Sequence, residues 1–171
     1  SLFPEEASER HTLSVLVDNE AGVLGRIVGL FSARGYNIES LTVADVSADE
    51  AVSRITIVTS GPRRVIDQIR AQLDRLVPVH SVIDLTELGP HVERELALVK
   101  VAGTGEKRVE ALRLADIFRA RPVDTSTRSF VFEISGSTAK VDQFIELMRE
   151  VGLVEVARGG VVALSRGPEA A

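Results

Sequence analysis

The stretch from Asp18 to Asn37, DNEAGVLGRIVGLFSARGYN, constrains this chain more than any other. It follows a short alternating apolar segment, His11 to Val17. Asp18 and Asn19 favour turns and helix caps. Val23, Leu24, Ile27, Val28, Leu30 and Phe31 then repeat at the spacing of an amphipathic helix. Gly35 stands where a C-terminal cap belongs. The unit reads as strand, turn, helix, turn. A helix N-terminus presents unpaired backbone N–H groups at the positive end of the dipole, and a carboxylate can sit there. Locally, the same residues also fit a plainer reading: Asn19 caps the helix and Gly22 permits close packing. Gly22, Gly25 and Gly29 do not make a GxGxxG fingerprint, so a dinucleotide site has little support.

The pattern continues in the same style. Asn37 to Val46 and Ala51 to Thr59 read as strands separated by the polar turn 47–50. Ser60, Gly61 and Pro62 stop the second of these, and Pro62 suits the first turn of a helix. Val65, Ile66, Ile69, Leu73 and Leu76 repeat at helical spacing, and Val79 to Leu85 is a further strand. The order is β-α-β-β-α-β, the ferredoxin-like arrangement, with both helices expected on one face of a four-stranded antiparallel sheet.

Thr86 to Val92 reads as a turn-rich linker, after which the order restarts. Leu96 to Val101 is a strand, and Thr104 and Gly105 open a helix with Val109, Leu112, Ala115 and Phe118. Two short strands follow, and Ser137 caps a helix carrying Val141, Phe144, Ile145, Met148 and Val151. Leu153 to Ala157 and Val161 to Ser165 are strands flanking Arg158-Gly159-Gly160. The fold class is therefore α+β: a ferredoxin-like domain at 10–86 and a second α+β domain of similar order at 93–167. The repeat is one of architecture, not of residues. Ser1 to Arg10 and Gly167 to Ala171 read as mobile tails.

Composition narrows function by exclusion. The 171 residues include no Cys, so disulfides, thiolate nucleophiles and Cys-based metal sites are out of reach. The net charge of -5 argues against non-specific nucleic-acid binding. No apolar run approaches the roughly 20 residues that span a bilayer, and the acidic start is unlike a signal peptide. His11, His80 and His91 lack paired metal spacing and read as surface or edge residues. Arg63, Arg64 and Arg70 read as solvent-facing. No GxSxG, P-loop or HExxH motif occurs.

Residues 13–43, LSVLVDNEAGVLGRIVGLFSARGYNIESLTV, resemble the N-terminal ACT domain of acetolactate synthase (acetohydroxyacid synthase) small regulatory subunits. The run from Arg34 to Leu41 makes the match closer than to ACT domains in general. His91-Val92-Glu93-Arg94-Glu95 with Leu98-Val99-Lys100-Val101, and VEVARGGVVALSRG at 154–167, are similar to the same family. The resemblance spans about Arg10 to Gly167.

That resemblance implies a cytoplasmic, non-catalytic regulatory subunit with no cofactor of its own. The large catalytic partner is expected to carry thiamine diphosphate, Mg and FAD, and to condense pyruvate with a second 2-keto acid in branched-chain amino-acid biosynthesis. The small subunit is expected to raise that activity, to confer feedback inhibition by valine, and to form a homodimer through its ACT domains. The family's ligand residues map onto Asn19, Gly22, Val23 and Leu24, with Asn37 and Ile38 contributed by the neighbouring chain. The residue chemistry agrees: amides around Gly22 to Leu24 suit a carboxylate, Asn19 and Asn37 can accept from an ammonium, and Val23, Leu24 and Ile38 can line an apolar side-chain pocket. Gly25 departs from the family, where Ser or Ala is common, so preference among valine, leucine and isoleucine is open. The rival readings are a free-standing amino-acid-binding ACT regulator of another enzyme, which the second domain opposes, an enzyme in its own right, and a nucleic-acid binder.

Overall fold

A computed structural model of the chain describes residues 6–171. They divide into two compact units: the described residues up to Val92 together with Val162–Ala171, and Glu93–Val161.

The first unit contains β1 (Ser8–Asp18), α1 (Val23–Ala33), β2 (Ile38–Asp45), β3 (Val52–Pro62), α2 (Arg63–Asp74) and β4 (Val79–Asp84). The strand order β2-β3-β1-β4, with antiparallel neighbours, is the expected ferredoxin-like one. Alternation along the strands sends Leu13, Val15, Val17, Ile55 and Ile57 to one face. There they pack with Val23, Ile27 and Phe31 of α1 and Ile69 and Leu73 of α2. Gly35, at φ +67°, ends α1 as expected. The Tyr36 amide returns to the Phe31 carbonyl at 2.9 Å and the Gly35 amide to Ser32 at 3.3 Å, a Schellman closure.

Three expectations need correction. Residues 8–10 of the expected tail are strand, paired Ser8 to Pro62 through Arg10 to Ser60, because β3 runs on to Pro62 and offers them a partner. Ser1 to Glu5 lie outside the described residues. Pro62 stands at the N-cap of α2, one position before its first turn. The expected linker contains a short helix, α3 (Leu85–Leu88), whose N-cap Asp84 accepts from the Glu87 amide, and strand β5 begins as early as His91. An Asp followed three residues later by Glu is the helix-start signature that the linker reading passed over.

The second unit is built from β5 (His91–Ala102), α4 (Glu106–Ile117), β6 (Arg121–Thr125), β7 (Ser129–Gly136), α5 (Thr138–Val151) and β8 (Leu153–Arg158), with strand order β6-β7-β5-β8. Its core joins Ala97, Val99 and Val101 to Phe130, Phe132 and Ile134 and to the apolar stripe of α5. Ser137 caps α5 by accepting from the Lys140 amide at 3.2 Å, as its sequence predicts. Gly152 closes α5 at φ +137°, where an added Cβ would stand 2.1 Å from the Ala102 carbonyl oxygen, so only glycine fits. Glu95, 5 % exposed, is held by Arg158 Nε at 2.5 Å and the Thr138 hydroxyl at 3.2 Å. The Glu95 hydrogen bond raises the Arg158 guanidinium above its ordinary range, and Asp142 adds to it. The last strand, β9 (Val162–Ser165), falls with the first unit. By hydrogen bonding it pairs with β5.

Candidate functional site

The turn after β1 is open to solvent, with residues 19–22 all exposed. Backbone pairing fixes its path: Asp18 donates to the Pro78 carbonyl, Asn19 to Ala51 and Glu20 to Asp18, each at 2.8 Å. Gly22 is the N-cap of α1 at φ +85°, the left-handed region that a side chain disfavours, and no side chain caps the helix. Asn19 therefore does not cap α1. Its Nδ2 reaches across to the Glu50 carbonyl at 2.9 Å and to Asp45 Oδ1 at 3.5 Å, tying the turn to the loop between β2 and β3. In that loop the Ser47 hydroxyl, then the Ala51 amide, hold the Asp49 carboxyl below the usual range.

The amide of Val23 is spent on the Glu20 carbonyl at 3.3 Å, whereas those of Leu24 and Gly25 make no backbone bond. The first helical turn carries no acidic side chain. The helix end thus offers two donors and the positive end of the dipole to solvent, the arrangement that accepts a carboxylate. Val23 turns its side chain into the core at 7 % exposure, whereas Leu24 stays 39 % exposed beside the amides. Of the two, only Leu24 is placed to meet a ligand's apolar part.

Asn37 and Ile38 stand beyond the far end of α1. Gly22 to Gly35 spans about 20 Å at 1.5 Å per residue, so one chain does not bring these residues to the turn. Asn37 presents its side chain to solvent while its carbonyl accepts from Thr59 Oγ1 at 2.6 Å, and Ile38 packs against the edge of the core. Between the two ends, Leu24 and Val28, each 39 % exposed, alternate with Gly25 and Gly29, where an added Cβ would meet nothing within 4 Å. Val43 and Val46 are also exposed, at 48 % and 43 %. Among the described residues no group of three or more His, Asp or Glu side chains is arranged to hold a metal ion, and no helix is long and apolar enough to cross a membrane.

Both halves match family models. Residues 13–81 match one described as the AHAS small subunit-like ACT domain, and residues 94–167 match one described as the small subunit of acetolactate synthase. The chain belongs to the acetolactate synthase small-subunit family. A probable acetolactate synthase small subunit of Archaeoglobus fulgidus is 49 % identical over 158 residues, 92 % of this chain and 98 % of that protein. The isozyme 3 small subunit of Escherichia coli is 48 % identical over 159 residues, 92 % of this chain and 96 % of that protein. The crystal structure of the Thermotoga maritima small subunit superposes with a TM-score of 0.82 at 37 % identity, covering 94 % of this chain and 99 % of that one.

In this member of the small-subunit family, sequence reasoning missed the polar cluster around buried Glu95 and a second one around His11. His11 is 3 % exposed and not at the surface, with its Nδ1 facing Asp84 and its Nε2 facing Glu9. The signal was present: His11 shares strand parity with Leu13, Val15 and Val17, so it belongs to the core face. Of the other histidines, His80 is exposed and bonded to Asp18, and His91 begins β5 with its Nδ1 donating to the Gly89 carbonyl at 3.0 Å. Arg63 and Arg70 both reach Glu87, a surface network that serves the start of α2.

Proposed function

We propose that this chain is the regulatory subunit of an acetolactate synthase. It activates a large catalytic subunit that carries thiamine diphosphate, Mg and FAD, and it confers feedback inhibition by valine, in the cytoplasm, on branched-chain amino-acid biosynthesis. The observation that carries this reading is family membership through both units, since an isolated sensor module has no need of the second. The pairs of exposed donors at Leu24 and Gly25 support a carboxylate at the turn.

In this reading valine lies between two chains. Its carboxylate meets the amides at the start of α1. Asn19 Oδ1, whose amide partner is engaged by Glu50, accepts from the ammonium, and Leu24 contacts the isopropyl group. Asn37 and Ile38 of the neighbouring chain complete the site, which the separation along α1 requires. The exposed strip of Leu24, Val28, Gly25 and Gly29 suits a homodimer contact, because glycines let a second backbone approach closely. Sedimentation at micromolar concentration with and without valine tests the shared site. A dimer or larger species is expected, and a strict monomer under both conditions removes the proposed pocket.

A further inference from the structure

The side chain of Asn19 is held in one orientation. Its Nδ2 faces the Glu50 carbonyl at 2.9 Å and Asp45 Oδ1 at 3.5 Å. A carbonyl and a carboxylate can only accept hydrogen bonds. Turning the amide over would set its oxygen against both of them and lose both bonds. Asn19 Oδ1 is therefore fixed on the side of the amide that faces away from the loop between β2 and β3. Among the described residues no hydrogen bond reaches that oxygen.

The two acceptors are themselves held. Asp45 closes β2 opposite Ser53 of β3. The hydroxyl of Ser53, a buried residue, donates to the same carboxylate oxygen at 3.0 Å. Glu50 holds φ at +58°, a left-handed backbone that is uncommon outside glycine. Its amide returns to the Ser47 carbonyl at 3.0 Å, and beside it the Asn19 amide donates to the Ala51 carbonyl at 2.8 Å. The backbone is thus kept in a sparsely populated conformation at the point where its carbonyl meets Asn19, a pattern that concentrates at ligand clamps.

We propose that Asp45 is a positioning residue that makes the turn selective for amino acids over the 2-keto acids of the same carbon skeleton. The inference rests on the valine site proposed at the turn. Both kinds of ligand carry the carboxylate that suits the Leu24 and Gly25 amides, and the same aliphatic group for Leu24, so only the contact with Asn19 tells them apart. With its oxygen turned outward, Asn19 accepts from an ammonium. A 2-keto oxygen offers no donor and leaves Asn19 Oδ1 facing a second acceptor. The opposite amide orientation would present NH2 groups and favour the keto acid. The proposed catalytic partner consumes 2-keto acids, so a sensor that answered to them would report substrate in place of end product.

The test is titration calorimetry of the full chain with valine and with 3-methyl-2-oxobutanoate, which shares its isopropyl group and carboxylate. Wild type, Asp45→Ala, Asp45→Asn, Asp45→Lys and Asn19→Ala are compared, with circular dichroism as the folding control. Wild type is expected to prefer valine by roughly tenfold or more. Asp45→Ala should weaken valine by about five- to tenfold, the worth of one hydrogen bond, with the keto acid unchanged or tighter. Asp45→Asn keeps an accepting oxygen and should stay within about twofold of wild type for both ligands. Asp45→Lys places a donor beside Asn19 and should narrow the preference further, and it decides the matter should Asp45→Ala fold poorly. A merely structural role would weaken both ligands alike, and that result overturns the proposal. Valine binding absent from wild type, or indifferent to Asn19→Ala, removes the turn as the ligand site and the proposal with it. Valine binding lost in Asn19→Ala but untouched in Asp45→Ala and Asp45→Lys leaves the turn standing and overturns the role of Asp45 alone.

Discussion

His11 Nδ1 lies 2.6 Å from Asp84 Oδ2, and both side chains are buried, at 4 % and 1 % exposed. The contact joins the start of β1 to the end of β4, where Asp84 also caps α3. Removing the imidazole takes one hydrogen-bond partner from a buried carboxylate that keeps the Glu87 amide. His11→Ala is expected to cost about 1–3 kcal/mol, the usual penalty for removing one partner of a buried hydrogen bond. Urea unfolding of wild type and variant measures it. A loss under 0.5 kcal/mol would show that solvent reaches Asp84 readily and that the pair is incidental.

Gly22→Asp tests the turn. The left-handed backbone at Gly22 costs a side chain about 1–2 kcal/mol, while an added Cβ meets nothing within 4 Å, so the fold survives with reduced stability. A carboxylate there opposes a ligand carboxylate: like charges at about 4 Å repel by roughly 4 kcal/mol at an effective dielectric of 20. Half of that weakens binding more than tenfold. Gly22→Asn carries the same backbone cost without the charge. The expected order of resistance to valine in acetolactate assays is Asp above Asn above wild type. Equal resistance in Asp and Asn would assign the effect to the backbone and not to the ligand's charge.

Gly25 offers a cleaner variant. It has an ordinary helical φ and open space at Cβ, so Gly25→Ala should raise the stability of the chain by about 1 kcal/mol through helix propensity alone. In the proposed dimer the added methyl also meets the ligand or the neighbouring α1. Preference among valine, leucine and isoleucine should therefore shift, by no more than the 1–3 kcal/mol that a methylene is worth. Competition calorimetry reads the shift. Unaltered preference places Gly25 away from the ligand.

A chain cut after Val92 keeps α3, with Glu87 still available to Arg63 and Arg70. It loses residues 163–171 from the second sheet face. It should fold and bind valine at the turn, but at a lower urea midpoint than the full chain, because Ser14 and its neighbours become open to water. A cut chain as stable as the intact one would show that the returning segment contributes nothing to the first unit.

The sequence made the first sheet legible because its strands alternate cleanly and its helices carry broad apolar stripes, as Leu13, Val15 and Val17 and then Ile27 and Phe31 show. Gly35 and Ser137 were readable as caps because each acts within a few residues of its own position. What escaped depends on distant pairing. Ser8 to Arg10 are strand only because β3 extends opposite them. At the turn, the local pattern left a helix-capping role open to Asn19, and the structure removes it. Asn19 binds a loop that follows β2, which helical periodicity does not reveal, whereas Val23 takes the core position that the periodicity gives it.

The most direct measurement is acetolactate formation by the cognate large subunit, alone and with this chain, over a range of valine concentrations. The account predicts that the chain by itself forms no acetolactate, that adding it raises turnover, and that valine then lowers the raised rate. Robust acetolactate formation by the purified chain alone, or a large subunit whose rate is indifferent to the chain at every valine concentration, would contradict it.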